Sequence, residues 1–147
     1  MVAIVEIPEG QRYKYEIKKG VLVLDRVLDY RVPGNYGYIT GTKAKDGDAL
    51  DVFIAANEAL LPTAHVPITV VGAFICKDNG VLDEKLVALI EGREFLTDTH
   101  RDIEIHRIRD YLNKYKEGFV VLEYVGAEDA TKLVKKYTLK GRKRARK

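Results

Sequence analysis

The first half of the chain consists of short β-branched and aromatic segments, each ended by a turn that contains glycine or proline. In one segment Tyr13, Tyr15 and Ile17 alternate with charged residues, so their side chains fall on one face of an extended strand. Such segments predict β-strands. The predicted strands cover residues 2–7, 13–17, 21–27, 36–39, 52–54, 66–76 and 85–90. A loop over 77–84 is predicted to join the last two of these strands.

The second half has the periodicity of amphipathic helices. Thr97, Asp98 and Thr99 are candidate N-caps for a first helix, and Gly118 is a candidate stop. The apolar stripe of this helix consists of Ile103, Ile108, Tyr111, Leu112 and Tyr115. A further strand is predicted over 119–125. A second helix is predicted over 127–139, with Ala130, Leu133, Val134 and Tyr137 facing inward.

Many short strands followed by helices predict an α+β domain whose sheet curls into a small barrel. A chain of 147 residues suits one domain, which is predicted to cover 1–140. Residues 132–147 hold nine basic and no acidic side chains, whereas the rest holds sixteen basic and twenty-two acidic ones, a net charge of −6. The end of the chain, 141–147, is predicted to be a disordered basic tail.

Compartment and membrane contact can be judged from cysteine use and apolar runs. The single cysteine, Cys76, cannot form an internal disulfide, and no apolar run approaches the ~18 residues of a membrane helix. The first residues lack the basic start, apolar run and cleavage site of a secretory signal. The sequence therefore predicts a cytoplasmic protein with no membrane partner.

Asp46, Asp48 and Asp51 form the most informative cluster of charges in the sequence. The first two point to the same side of an extended chain, and a bend before Asp51 could bring the third into the same space. Three carboxylates this close repel one another, and a divalent cation is the simplest compensation. An all-oxygen ligand set suits Mg²⁺, Mn²⁺ or Ca²⁺ better than Zn²⁺. A solvated acidic turn is the alternative explanation when the run is considered alone.

A second carboxylate pair, Asp78 and Asp83, flanks the predicted loop and has Lys85 two residues further on. Lys14 and Arg26 add cations on predicted strands, and an arginine can grip a phosphate through two parallel hydrogen bonds. Each group also has a simpler explanation, namely a polar hairpin tip for the aspartates and an exposed ion pair for Lys14. Taken singly, these positions leave both explanations open.

Together the positions form a known pattern. The matching blocks, in chain order, are 5–8, 14–16, 25–26, 33–38, 46–52, 78–88 and 115–116. With this order and spacing the chain resembles the family I soluble inorganic pyrophosphatases, and the segment 46–52 resembles their aspartate signature. The resemblance implies a twisted five-stranded, OB-like β-barrel with two main helices, which agrees with the pattern of strands and helices.

The resemblance also implies hydrolysis of inorganic pyrophosphate to two phosphates by a metal-activated water, with Asp48 as the general base. The implied metal ligands are Glu6, Glu16, Asp46, Asp51, Asp78 and Asp83. The implied phosphate-binding residues are Lys14, Arg26, Tyr36, Lys85, Tyr115 and Lys116. The implied cofactor is Mg²⁺, with several ions in each site and Mn²⁺ or Co²⁺ as alternatives.

The chain departs from the family at a few positions. Ala49 stands where the signature usually has Pro or Glu, Val32 where members usually carry a phenol, and Phe119 where many keep another phosphate-binding lysine. Ala49 is expected to affect the stiffness of the loop more than metal ligation, whereas the missing phenol and lysine are expected to lower the rate or widen the substrate range. The family implies a homo-oligomer, but Asp110 and Lys114 stand where bacterial members often have interface histidines, which argues against a hexamer.

Two other functions stay open at this point. A catalytically impaired, pyrophosphatase-like protein could bind metal or phosphate without turnover, because part of the phosphate-binding shell is missing. A small barrel could also bind nucleic acid through the basic tail. Against the second function, the body of the chain is net acidic and shows no row of aromatic residues for stacking bases. Weak binding through the tail is the most that is expected.

Overall fold

The computed structural model describes residues 1–139, which contain eight strands and two helices. The strands are β1 (Val2–Ile7), β2 (Tyr13–Lys18), β3 (Val21–Val27), β4 (Asn35–Ile39), β5 (Asp51–Ile54), β6 (His65–Asp78), β7 (Val81–Ile90) and β8 (Phe119–Gly126). The helices are α1 (Asp98–Lys114) and α2 (Ala127–Tyr137). The predicted tail 141–147 lies outside the described residues, and the extent of the domain, 1–140, stays a prediction.

Five strands close into a ring in the order β1-β4-β5-β7-β6, because β6 also pairs with β1. β4 is antiparallel to both β1 and β5, whereas β5 and β7 run parallel. β6 is long enough for two further neighbours, since 65–67 pair with β1 and 72–78 pair with β8. The prediction of an α+β fold with a five-stranded, OB-like barrel and two main helices is confirmed.

The core consists of two clusters of alternating strand side chains, each covered by one helix. The first cluster contains Ala3 and Val5 of β1, and α2 packs on it through Ala130, Val134 and Tyr137. The second surrounds Phe53 and Phe74, and α1 packs on it through Ile108, Tyr111 and Leu112. Each large apolar side chain buried in this way contributes about 1.5–3 kcal/mol. Neither helix of the described residues is long and apolar enough to cross a membrane.

The loop predicted over 77–84 is wrong, because β6 and β7 form a tight hairpin there. β6 continues to Asp78 and β7 begins at Val81, so only Asn79 and Gly80 lie in the turn. Both turn residues have positive φ, 51° and 84°. Positive φ at both central positions is the geometry of a type I′ turn, for which Asn-Gly is a favoured sequence. The charged residues at 77–84 therefore belong to strands, not to a loop.

The first helix begins where predicted, but its buried face is shifted. Thr97 is the N-cap, and its side-chain oxygen accepts a hydrogen bond from the His100 N–H. Ile103 was expected to face inward and instead is 53% exposed, while Glu104 is buried. The buried positions 104, 108, 111 and 112 follow the helical period, and 103 lies one residue outside that stripe. The Arg107 guanidinium lies 3.1 Å from the Glu104 carboxylate, so the buried negative charge of Glu104 is paired.

Gly37 allows β1 and β4 to approach closely. A Cβ at this position would overlap the carbonyl group of Ile4, which is backbone and cannot turn aside. Any side chain at residue 37 therefore requires the two strands to separate.

Gly37→Ala is expected to lower the free energy of unfolding by about 3 kcal/mol or more, because the added methyl group strains the pairing of β1 and β4. Gly126→Ala is the matched control, since a Cβ there meets nothing within 4 Å and the φ of −80° suits alanine. It should cost no more than about 1 kcal/mol, mainly through weaker capping of α2. Urea unfolding measures both variants, and equal stabilities would contradict the expectation.

Candidate active site

The segment between β4 and β5 holds the aspartate run in a short turn. Asp46 Oδ1 accepts a hydrogen bond of 3.0 Å from the Asp48 N–H, and Gly47 between them has a φ of +91°. The Ala44 N–H donates to the Asp48 carbonyl at 2.7 Å. Asp46 and Asp48 are exposed, whereas Asp51, the first residue of β5, is partly buried. One backbone hydrogen bond and one to the Asp46 side chain thus hold this turn and leave the Asp48 side chain exposed to solvent.

Lys85 is the buried cation of the site, with only 3% of its surface exposed. Its ammonium group donates to Asp51 Oδ2 at 2.6 Å and to the Tyr36 hydroxyl at 2.9 Å. Asp83 Oδ2 lies 3.5 Å from the same nitrogen. The parallel register of β5 and β7 places Lys85 directly opposite Asp51, and β4 brings Tyr36 from the other side of β5. Three strands of the barrel therefore meet at one ammonium group.

The acidic groups around Lys85 are short of positive charge. Burial raises the pKa of Asp83 above its ordinary value, and repulsion from Asp51 and Asp46 adds to this rise, although Lys85 lowers it. Burial also raises the pKa of Glu6, which a neighbouring lysine only partly offsets. The carboxylates of the site are thus not fully compensated by the ammonium groups of the chain itself.

The β2–β3 hairpin brings two further cations to the site. Lys14 and Arg26 are direct cross-strand partners, and the register shift next to them is a β-bulge that adds Asp25 on the same side. The Lys14 ammonium lies 3.6 Å from Glu6 Oε2 and 3.7 Å from Asp25 Oδ2. These partly exposed ion pairs contribute little to stability, but they orient the Lys14 side chain toward β1.

Most of the predicted site residues line one cavity of about 220 Å³. They are Glu6, Lys14, Arg26, Tyr36, Asp46, Asp48, Asp51, Asp78, Asp83, Lys85 and Tyr115. A neighbouring cavity of about 250 Å³ shares Arg26 and Tyr115 with the first and adds Lys116. The Lys116 ammonium lies 2.8 Å from Asp78 Oδ2, so it faces the acidic cavity as well. Seven strands, the turn before β5 and the end of α1 thus contribute side chains to the two cavities.

Glu16 is the predicted site residue that lines neither cavity. It pairs with Val23, one step beyond Lys14 toward the tip of the hairpin. Its Oε1 lies 3.1 Å from the Lys18 ammonium at the hairpin end. The hairpin carries Glu16 away from the barrel rim, so the alternation that places it on the same face as Lys14 does not bring it into the site.

Tyr111 lines both cavities, although the sequence predicts it only as part of the apolar stripe of α1. Its ring packs edge-on against Phe53, with ring centres 6.1 Å apart, and lies 5.6 Å from the ring of Tyr115. Burial raises the pKa of Tyr111 to about 12, so its hydroxyl keeps its proton at neutral pH. The one available signal was its spacing, since Tyr111 precedes Tyr115 by one helical turn on the same face.

Comparison with known proteins shows which family has this architecture. The family model described as inorganic pyrophosphatase matches residues 3–141. The chain belongs to the inorganic pyrophosphatase family.

Individual members of the family agree with this match. The inorganic pyrophosphatase of Nanoarchaeum equitans is 33% identical over 148 residues, which cover 90% of this chain and 92% of that protein. Soluble inorganic pyrophosphatase 2 of Chlamydomonas reinhardtii is 36% identical over 145 residues, covering 90% and 76% of the two chains. The crystal structure of an inorganic pyrophosphatase from Neisseria gonorrhoeae matches with a TM-score of 0.81 at 28% identity, over 93% of this chain and 88% of that one.

Several predictions about function are confirmed by this membership. The chain is an inorganic pyrophosphatase of family I, an enzyme that hydrolyses pyrophosphate, and the family requires divalent metal ions. Neither the impaired metal- or phosphate-binding protein nor the nucleic-acid-binding barrel is favoured by these relatives.

The donor set of the pyrophosphatase cavity fits divalent cations by its chemistry. Six carboxylates line it, and carboxylate oxygens are the ligands that Mg²⁺ prefers. Within residues 1–139, no three His, Cys, Asp or Glu side chains lie close enough together to form a cage as they stand. In this arrangement Lys14, Lys85 and Lys116 pair with carboxylates of the cavity. The raised pKa values of Glu6 and Asp83 nevertheless indicate that the cavity can accept further positive charge.

Asp83→Asn is expected to stabilise the metal-free protein at pH 7, because the raised pKa of Asp83 means that its ionised form opposes folding. The folded state binds this proton more tightly than the unfolded state does. The wild type therefore gains stability as pH falls through the raised pKa of Asp83. The difference in free energy of unfolding between wild type and variant should disappear near pH 4, the pKa of an aspartate in the unfolded chain (about 4).

Urea unfolding in EDTA at pH 7 and at pH 4 measures this gap. Asp98→Asn, at the exposed start of α1, is the control and should not be more stable than the wild type at pH 7. Added Mg²⁺ should reverse the order, since the variant lacks one carboxylate for the ion. A variant that is less stable than the wild type in EDTA at pH 7 would contradict the expectation.

Proposed function

We propose that this pyrophosphatase is a cytoplasmic, Mg²⁺-dependent enzyme that cleaves pyrophosphate in the paired cavities, with Asp48 as the general base. The observation that carries the proposal is the convergence of six carboxylates and the cations Lys14, Arg26 and Lys85 on one cavity of about 220 Å³. Carboxylates alone would repel a polyanion, and cations alone would bind it without activating water. Both sets face the same space.

The carboxylates divide by their position in the proposed mechanism. Glu6, Asp46, Asp51, Asp78 and Asp83 would hold the divalent cations, and Mg²⁺ is the proposed ion because every donor is a hard oxygen. Bound cations lower the pKa of water and neutralise charge on the phosphate groups. Mn²⁺ or Co²⁺ are the proposed substitutes. Glu16 is left out of this set because it lines neither cavity.

The phosphate groups would be bound by cations and phenols on opposite walls. Burial alone would lower the pKa of Lys85, but Tyr36, Asp51 and Asp83 raise it well above its ordinary value, so the ammonium group stays charged. Lys85 and Tyr36 would bind one phosphate group from the barrel. Arg26, Tyr115 and Lys116 would bind the other where the two cavities join, together with Lys14. Charge-assisted hydrogen bonds of this kind position the substrate and stabilise charge that develops during transfer.

Asp48 suits the role of general base because of how it is held. Its backbone N–H and carbonyl are both bonded within the turn, while its side chain projects into solvent at the cavity. A base needs a fixed backbone and a carboxylate that is open to the attacking water. The ligand carboxylate Asp51 instead accepts a hydrogen bond from the Lys85 ammonium group and is partly buried.

Asp48→Asn is expected to lower kcat for pyrophosphate by 10²-fold or more, because an amide cannot accept the proton. The assay is phosphate release with Mg²⁺, and calorimetry should show that pyrophosphate binding is retained. Asp102→Asn, on the exposed side of α1, is the control and should keep the wild-type rate. Near-normal kcat in Asp48→Asn would remove Asp48 from this role. A wild type without turnover in Mg²⁺, Mn²⁺ or Co²⁺ would overturn the proposed function.

Tyr111 is proposed as an additional phosphate-binding phenol. Val32, where the family resemblance implies a phenol, is buried in the same apolar cluster as Tyr111. Tyr111 reaches both cavities from α1, and its protonated hydroxyl is a hydrogen-bond donor. The Tyr111 hydroxyl on α1 could thus donate the hydrogen bond to a phosphate group that the valine at position 32 cannot donate.

Tyr111→Phe is expected to raise KM for pyrophosphate about 10-fold with little change in kcat, since one hydrogen bond to a charged group is worth about 1.5–3 kcal/mol. Tyr124→Phe is the matched control, because Tyr124 packs on Phe74 in the same cluster and lines neither cavity. Steady-state phosphate release measures both variants. Equal KM values in wild type and Tyr111→Phe would show that the hydroxyl does not contact substrate.

A further inference from the structure

A glutamate and a tyrosine are hydrogen-bonded to each other behind the active site. Glu84 lies on β7 between Asp83 and Lys85, and only 3% of its surface is exposed. Side chains alternate along a strand, so Glu84 faces away from the cavity that Asp83 and Lys85 line. The Tyr137 hydroxyl, in the last turn of α2, donates a hydrogen bond of 3.0 Å to Glu84 Oε2. The contact therefore joins α2 to the reverse side of the strand that carries two site residues.

Stability does not explain this pair. Glu84 Oε1 is buried and has no hydrogen-bond partner among residues 1–139. An unpaired buried oxygen costs at least as much free energy as one hydrogen bond contributes, and apolar groups of the same shape in place of both partners are often neutral or stabilising. The surroundings are apolar, since Tyr137 packs in the first core cluster with Leu86 and Val134. The pair therefore requires an explanation other than stability.

The other end of the contact reaches the turn that holds Asp46 and Asp48, called the aspartate turn. The Lys43 N–H, directly before this turn, donates a hydrogen bond of 2.9 Å to the Tyr137 carbonyl. Burial raises the pKa of Tyr137 to about 12, and the hydrogen bond to Glu84 and the nearby charge of Asp46 add to the rise. The hydroxyl therefore keeps its proton and stays the donor. The end of α2 is thus fixed to the aspartate turn on one side and to β7 on the other.

We propose that the Glu84–Tyr137 hydrogen bond fixes the position of the aspartate turn relative to β7. It thereby sets the spacing of Asp46 and Asp83, the proposed ligands of a divalent cation. Strand pairing alone does not do this, because the pairing of β5 with β7 begins only at Asp51, after the turn. Glu84 and Tyr137 are positioning residues in this role, since neither lines the cavity. The inference rests on the ligand assignment in the proposed function.

A pair of this kind acts on metal affinity in a characteristic way. Mg²⁺ requires near-ideal octahedral geometry, whereas Ca²⁺ accepts a more flexible set of ligands. Loss of a group that orients metal ligands commonly lowers metal affinity by roughly 10–100-fold. Displacement of the aspartate turn should therefore weaken the binding of Mg²⁺ more than that of Ca²⁺. A general loss of stability has no reason to distinguish the two ions.

The test is a calorimetric titration of the substrate-free protein with Mg²⁺ and, separately, with Ca²⁺. Tyr137→Phe removes only the hydroxyl and is expected to lower the affinity for Mg²⁺ about 10-fold and that for Ca²⁺ by less. Thr138→Val is the matched control, because it removes the neighbouring hydroxyl, whose hydrogen bond to the Val134 carbonyl stays within α2. It should keep the wild-type affinity for both ions.

Two variants of Glu84 separate hydrogen bonding from charge and from stability. Glu84→Gln keeps an oxygen that accepts from Tyr137, so it is expected to keep the affinity for Mg²⁺. Glu84→Leu/Tyr137→Phe removes both partners and leaves no buried polar atom unpaired, so urea unfolding in EDTA should show wild-type or higher stability. Its affinity for Mg²⁺ should nevertheless match that of Tyr137→Phe, because both lose the same contact. Weaker metal binding without loss of stability is the result that a merely structural role does not give.

The outcomes distinguish this inference from the proposed function. Asp46→Asn is titrated alongside, and a weakened Asp46→Asn beside an unchanged Tyr137→Phe would overturn the positioning role alone. Equal losses in Tyr137→Phe and Thr138→Val would also overturn it, since the effect would then belong to the end of α2 in general. An Asp46→Asn variant that binds Mg²⁺ as tightly as the wild type would instead contradict the ligand assignment in the proposed function.

Discussion

The contact between the Lys85 ammonium and the Asp51 carboxylate is the interaction on which the site depends. It joins β5 and β7 at the point where the barrel has its one parallel pair of neighbouring strands, and it recruits Tyr36 from β4. A lysine this deeply buried is tolerated only because acceptors surround it. The carboxylates nearby depend on it in turn, since burial and repulsion raise the pKa of Asp83 even with the ammonium present. The lysine and the carboxylates at the barrel rim therefore stabilise each other's charged forms in the place where the substrate is proposed to bind.

Alternation and turn residues were enough to predict the strands and the fold class, but not the closure of the ring. Closure requires 65–67 to pair with β1, a contact between segments some sixty residues apart that no local pattern reveals. The turn at Asn79 and Gly80 did have a local signal, and its two polar neighbours Asp78 and Asp83 obscured it. The prediction for Ile103 is wrong because it rests on the apolar character of the residue, whereas its position around the helix axis places it outside the buried stripe. The ion pair with Arg107 makes Glu104 acceptable on the buried stripe.

The site was predicted chiefly because its residues occur in blocks whose order and spacing resemble a family. Placement on one face was not sufficient by itself, as Glu16 illustrates: it shares a face with Lys14 yet projects toward the hairpin tip. Tyr111 was missed for the opposite reason, because a tyrosine in an apolar helical stripe is ordinarily a core residue. Only the folded structure shows that Tyr111 lies near polar site residues, namely Tyr115 after the same helix and Arg26 on the hairpin.

The division of the site between barrel and hairpin has a mechanical consequence. The carboxylates lie on the closed ring or on turns beside it, whereas Lys14 and Arg26 lie on a two-stranded sheet outside the ring. Loosely anchored strands position charges poorly, and misplacement by about 1 Å can cost 10²-fold in rate. On its inner side the hairpin is tied to the barrel by the Lys14–Glu6 ion pair, which is partly exposed and weak. The positions of these two cations therefore depend chiefly on the pairing of β2 with β3 within the hairpin itself.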